Sequence, residues 1–364
     1  MTFEQKQTRH RRFFEPLQKG EGGYLAVTSP VDDSGTLPVA LPPPKNAEER
    51  WLSTEYRLLC AEAAAANTFW GQDAIHNEFV NFGPGVQAAL LGAPYKLESS
   101  SIWFDTDPPL KDWGDLPAFV TDEGHALYLA IEEHTRALCA ASRGRYTVSL
   151  TDIGGQLDVL FSLRGEELLM DLIDYPEEVL ALQSRLDDEF MKYCKTLCGI
   201  IRPTGCGFTS WMPLLRDEPY YPIQCDFSVM ISPAMFEEFA MPSLDRISRE
   251  VGCGVYHLDG PEQIQHLDMI LSLSHVHAIQ WVPLPMQLEG SDRVMQYFND
   301  AVSLDLYRRC LAAGKKLILY GVNPGQIASI FSNVGTDGIY IITNCPSRKD
   351  ADALIGQARN EWIR

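Results

Sequence analysis

His257 and Asp259 stand two residues apart in Gly254-Val255-Tyr256-His257-Leu258-Asp259-Gly260. On a strand, residues i and i+2 point the same way, so the apolar run before them would deliver an imidazole and a carboxylate together into a Gly-Pro turn. A second apolar run, Gly338 to Thr343, stops at Asn344-Cys345-Pro346 and presents one thiol. Histidine nitrogen, carboxylate oxygen and thiolate sulfur are all zinc donors, so His257, Asp259 and Cys345 are candidate ligands of one ion. Three ligands would leave a fourth position open for chemistry.

Placing those residues requires strands ending near one another. Short apolar runs occur at Tyr24–Thr28, Ala74–Phe82, Tyr146–Leu150, Gly207–Trp211, Ile223–Phe227, Gly254–His257, Ala278–Val282, Lys316–Gly321 and Gly338–Thr343. Helical periodicity separates most of them: 47–67, 123–142, 157–201 with a new start at Pro176, 233–251, 264–273, 295–313, 324–334 and 348–363. Strand–helix alternation calls for parallel strands covered by helices. Roughly eight of them in one chain fit a closed α/β barrel, the (β/α)8 TIM barrel, better than an open doubly wound sheet. No Gly-x-Gly-x-x-Gly turn follows an early strand and no Walker-type loop occurs, which also disfavours the open sheet. Residues 1–23 read as an N-terminal extension and 24–364 as one barrel domain. The proline-rich loop 31–45 crosses one mouth, and the irregular stretch 92–116, with Tyr95, Trp103, Asp105 and Trp113, reads as a lid-like insertion or a structural flap.

Composition narrows the partners. A net charge of −19 over 364 residues argues against a surface that tracks phosphates, so nucleic acid is not expected. No apolar run reaches the ~18 residues a membrane span needs, and Met1–Arg12 is polar, so the expected address is the cytoplasm. Nine cysteines in that compartment should be free thiols. Cys194 and Cys198 share a helix face, but without a third donor nearby they read as core.

In a barrel the chemistry sits at the carboxyl ends of the strands. Those ends carry Asp152, Trp211, Asp226, His257, Asp259, Trp281, Asn323 and Cys345, and Asn81 ends the second run. The plainer alternatives are a core His257 bonded to Asp259, a buried Cys345 thiol, a solvated turn at His275 and His277, and a surface pair at His266 and Asp268.

Four stretches carry a family likeness: Pro222-Ile223-Gln224-Cys225-Asp226-Phe227, Ser232-Pro233-Ala234-Met235-Phe236, His257-Leu258-Asp259-Gly260 and Ile279-Gln280-Trp281-Val282-Pro283. With Asp152-Ile153-Gly154-Gly155 and Asp171 to Glu177, they make the chain from about Ala47 to its end resemble the uroporphyrinogen decarboxylase superfamily. The resemblance implies a (β/α)8 barrel and one of two chemistries: cofactor-free decarboxylation of a tetrapyrrole, or zinc-dependent methyl transfer with a corrinoid protein. The decarboxylases' Arg-rich opening segment has no counterpart here, which points to the methyltransferase branch. His257 matches that branch's histidine and Cys345 its distant cysteine, while Asp259 replaces a cysteine.

A carboxylate in place of a thiolate makes the ion harder, which suits an oxygen or nitrogen leaving group. The resemblance therefore implies transfer of a methyl group from an aryl methyl ether or methylamine to a corrinoid carried by a partner protein. Asp226 or Asp152 would donate a proton or orient the substrate. Trp211, Phe227 and Trp281 would wall an aromatic substrate, with Asn81 at the mouth. Methyl-corrinoid:thiol transfer, a metal-free decarboxylase and a non-catalytic corrinoid- or tetrapyrrole-binding barrel are the alternatives.

Overall fold

The structure is a computed structural model and describes residues 1–35, 37–104, 107–115, 119–283, 285–287 and 294–363. Asp105 and Leu116 of the expected lid lie outside them. The strands in chain order are β1 (Tyr24–Pro30), β2 (Thr68–Gln72), β3 (Asn77–Glu78), β4 (Tyr95–Leu97), β5 (Ile102–Phe104), β6 (Thr147–Val148), β7 (Tyr221–Ile223), β8 (Gly254–Asp259), β9 (Val276–Val282), β10 (Pro285–Gln287), β11 (Val294–Gln296), β12 (Lys316–Tyr320) and β13 (Ile339–Asn344). Seven form one sheet in the order β2-β1-β13-β12-β9-β8-β7. Every pairing in it is parallel except that of β2 with β1. β3 and β6 make a separate parallel pair, and Leu150 N–H reaches Thr209 O at 3.1 Å. The fold class is thus α/β with a central parallel sheet, as the alternation of elements requires. Among the described residues the ladder does not close into a ring.

Some expected helices divide for local reasons. The run 47–67 is two helices, Ala47–Leu52 and Thr54–Asn67, because extended Ser53 ends the first and its Oγ accepts Tyr56 N–H to cap the second. In 233–251 a π-helical turn over Phe236–Ala240 precedes Pro242, where the missing N–H would break a regular α-helix. Residues 294–296 pair as a strand, so the helix expected from 295 begins at Ala301. Cys194 and Cys198 are buried on the long helix Pro176–Ile201, and all nine cysteines are free. No helix among the described residues is long and apolar enough to cross a membrane.

Strand alternation produces two cores. One face of the strands packs against the helices in a large outer core that includes Tyr256, Leu258, Ile279, Trp281, Ile339, Ile341 and Cys345. The other face builds a small inner core from Tyr24, Ala26, Val255, Ala278, Ile318, Tyr340 and Ile342. The amino-terminal helix Phe3–Phe13 plugs its base. Phe13 sits edge-on to Tyr24 and Tyr340, with centroids 5.3 and 5.5 Å away, and Arg9 pairs with Asp73. His10 is fully buried there; Leu215 N–H donates to its Nδ1 at 3.0 Å, so the proton is on Nε2, which faces Asp73 O at 2.8 Å. The helix Phe3–Phe13 of the N-terminal segment thus packs against the base of the inner core.

Burial holds His10 neutral, lowering its pKa from 6.5 to about 4. Between those pH values the unfolded chain takes up a proton here that the folded chain refuses, so stability falls as the pH drops through that window. The contribution is up to about 3 kcal/mol. In urea titrations the wild type should lose more stability from pH 7 to pH 4 than His10→Gln; parallel pH profiles would refute the assignment.

Candidate functional site

A one-residue slip in the sheet sets up the site. β8 and β9 begin in register at Gly254 and Val276, but a bulge then pairs Val255 with Ala278, leaving His277 without a partner on β8. From there His257 lies beside Gln280. Without the slip, the neighbour would be Ile279, whose side chain belongs to the outer core.

That pairing fixes the imidazole. Trp211 Nε1–H donates to Gln280 Oε1 at 3.0 Å, so the atom facing His257 Nδ1 at 2.9 Å is an oxygen. Nδ1 therefore carries the proton, and the Nε2 lone pair is left for a ligand. The Trp211 ring meets His257 edge-on at 5.7 Å, restricting its rotation.

Asp226, His257 and Asp259 bring three possible ligand atoms within 4.8 Å of one another. Asp259 ends β8, and Asp226 opens the 3-10 turn Asp226–Met230 that follows the end of β7. Buried Gln263 holds Asp226 through Nε2–H to Oδ1 at 3.2 Å. Two more carboxylates stand behind. Asp158 Oδ1 accepts Phe227 N–H at 2.7 Å, while its Oδ2 has no partner. Asp152 accepts from Gly154 N–H at 3.0 Å and from the Tyr221 hydroxyl at 3.3 Å. Gly155 permits this packing, because a Cβ there would run into Asp158 Oδ2 and Gln224 O.

The carboxylates are crowded and short of cations. Burial, opposed by His257, pushes Asp152 up to about 6. Burial and then the Asp226 charge push Asp158 up to about 7, and burial with Asp259 nearby raises Asp226. The charges acting most strongly on the three are one another, Asp259 and His257, with no lysine or arginine among them. One nitrogen and two carboxylates around a cation-poor acidic cluster form a donor set that fits a divalent ion such as zinc.

Three expected positions lie elsewhere. Cys345, proposed as a ligand, is not in the cluster; it is fully buried in the outer core, where burial raises its pKa, and its neighbour Asn344 takes the exposed position. Trp281 is also outer, its Nε1–H bonded to Ser303 Oγ at 2.9 Å, and Gln280 faces the site in its place. Phe227 packs on Phe161 in the outer core while Asp226 beside it joins the site. Asn323 caps a 3-10 turn. His275 and His277 flank the start of β9, at the end of the strand opposite Gln280. His266, expected at the surface, is fully buried and stacks on Phe236 at 4.3 Å.

Trp211 touches the site through the His257 ring, and Asn81 lines a neighbouring cavity. Trp211 also meets Phe79, with centroids 6.3 Å apart, and Phe79 and Asn81 line a cavity of about 340 Å³. Sequence reasoning missed Gln280, Gln263 and Asp158. Gln280 carried a signal, a polar residue inside the apolar run Ala278–Val282.

Comparison with protein-family models and with curated proteins finds no match for this chain. Gln280→Leu should remove the acceptor that fixes His257, so nitrogen-resolved NMR should show one Nδ1–H tautomer in wild type and a mixture in the variant. A mixture already present in wild type would break the assignment.

Proposed function

We propose that this protein is a metal-dependent methyltransferase that takes a methyl group from an aryl methyl ether or a methylamine and delivers it to a corrinoid carried by a partner protein. The observation that carries the reading is the cluster of His257, Asp259 and Asp226 at strand ends, with Nε2 of His257 left free by Gln280. The resemblance to the uroporphyrinogen decarboxylase superfamily supplies the reaction class, and the cytoplasm is the compartment proposed.

The scaffold we infer is a (β/α)8 barrel. Six mutually parallel strands of the sheet with the parallel pair β3 and β6 give the eight it needs. The inner core, drawn from one face of β1, β8, β9, β12 and β13 and plugged by one helix, supports a closed interior.

His257, Asp259 and Asp226 would hold the ion. A bound zinc would draw charge from the substrate heteroatom, and the partner's corrinoid would accept the methyl group. The protein's own groups do the rest. Gln280 and Trp211 hold His257 in the binding tautomer, and Gln263 orients Asp226. As the carbon–heteroatom bond breaks, its electron pair stays on oxygen or nitrogen. Asp152, raised to about 6 and tied to the Tyr221 hydroxyl, would supply the proton that neutralises it.

The donor set without a thiol favours an oxygen or nitrogen substrate over the thiol-methylating direction. The raised pKa values of Asp152 and Asp158 favour a metal-free acid–base site, such as a decarboxylase's, as the second reading.

Metal analysis separates the two. The purified protein should hold about one zinc per chain, kept in Cys345→Ser and lost in His257→Ala and Asp226→Asn. Absence of metal from wild type, or its loss in Cys345→Ser alone, would refute this ligand set. With a reduced corrinoid protein and a methoxyarene, wild type should produce the methyl-cobalt spectrum, and Asp226→Asn should slow it at least ~100-fold.

A further inference from the structure

The cavity beside the site differs from the rest of the molecule in charge. Its lining includes the guanidiniums of Arg50 and Arg57 and the rings of Trp51, Tyr56 and Phe79, and no lining residue is a carboxylate. In a chain of net charge −19, Arg57 is paired with Glu78, and Arg50 is the lining cation that carries an uncompensated charge among the described residues. We propose that this cavity binds an aromatic carboxylate, with the anionic end at Arg50 and the ring against Trp51, Tyr56 and Phe79. This rests on the proposed function only for which end of the molecule reacts; the binding itself does not need the metal.

Each wall has a defined part. Arg57 is committed to Glu78, at 2.6 Å, and to Phe79 O, at 3.0 Å, so its charge is compensated and it serves as a fixed wall. Arg50 is exposed, lies over the Trp51 ring with 5.1 Å to the centroid, and has no ion-pair partner among the described residues. It is the guanidinium available to clamp a carboxylate. Trp51 is anchored through Nε1–H to Glu98 O at 2.7 Å, leaving its ring as a wall.

The cavity is preformed. The proline-rich loop over it is tied down by Tyr56 hydroxyl to Pro42 O at 3.1 Å and by Asn67, which both accepts from Val39 N–H and donates to Val39 O. On the inner wall, buried His134 is held neutral by burial, its pKa lowered to about 4, and its Nε2 has no hydrogen-bond partner. The volume of about 340 Å³ suits one substituted ring. Phe79, on the cavity wall, is in ring contact with Trp211 at 6.3 Å, and Trp211 with His257 at 5.7 Å, so the cavity and the His257 cluster are joined by one run of aromatic rings.

Calorimetric titration of the full chain with 4-methoxybenzoate and with uncharged 4-methoxybenzamide tests this. The carboxylate should bind at least ~10-fold tighter than the amide, and Arg50→Met should abolish that preference by weakening the carboxylate far more than the amide. The same preference should persist in Asp259→Asn, whose loss of methyl transfer would bear on the ion alone. Equal binding of the two compounds, no binding of either, or a preference that survives in Arg50→Met would overturn the proposal. Intact carboxylate selectivity without methyl transfer in wild type would instead overturn the methyltransferase reading and leave this one standing.

Discussion

The hydrogen bond from His257 Nδ1–H to Gln280 Oε1 is the contact on which the site depends. A neutral imidazole offers one lone pair, and which nitrogen offers it is decided by the partner of the other. Gln280 could have presented either end of its amide. The Trp211 indole can only donate, so it selects the oxygen, and the choice passes through Gln280 to His257. Three residues from three segments thereby aim one nitrogen at Asp226 and Asp259.

This contact depends in turn on the sheet. Only after the slip at Gly254/Val255 do His257 and Gln280 stand side by side, and the slip survives because both faces of the strands are filled. A further one-residue shift would drive Gln280 into the helix-packed core and leave a buried amide without partners. Below, the helix Phe3–Phe13 closes the base of the inner core with His10, Phe13 and Arg9, so the strand ends above it rest on a fixed floor. Above, Asp226, Asp158, Asp152 and Asp259 crowd around His257, with no lysine or arginine acting strongly on the first three.

The α/β class, most strand positions and the pairing of His257 with Asp259 were legible in the sequence, because apolar runs and i, i+2 spacing report local geometry directly. Three side chains were assigned to the wrong face for one shared reason. Cys345, Trp281 and Phe227 lie in the outer core, while their neighbours Asn344, Gln280 and Asp226 take the other face. Each choice sits at or beside a strand end, where a one-residue difference reverses the direction of the side chain. The chemically conspicuous residue, a thiol or a large ring, was in each case an apolar group that the outer core buries. Long-range partners such as Gln263 and Asp158 leave no local trace, since the chain brings them to Asp226 only after folding.

X-ray absorption at the zinc edge of the metal-loaded protein tests the central claim most directly. The account predicts a shell of nitrogen and oxygen alone at about 2.0–2.1 Å, with one imidazole among the ligands. A sulfur shell at about 2.3 Å would bring a cysteine to the ion and contradict the ligand set of Asp226, His257 and Asp259.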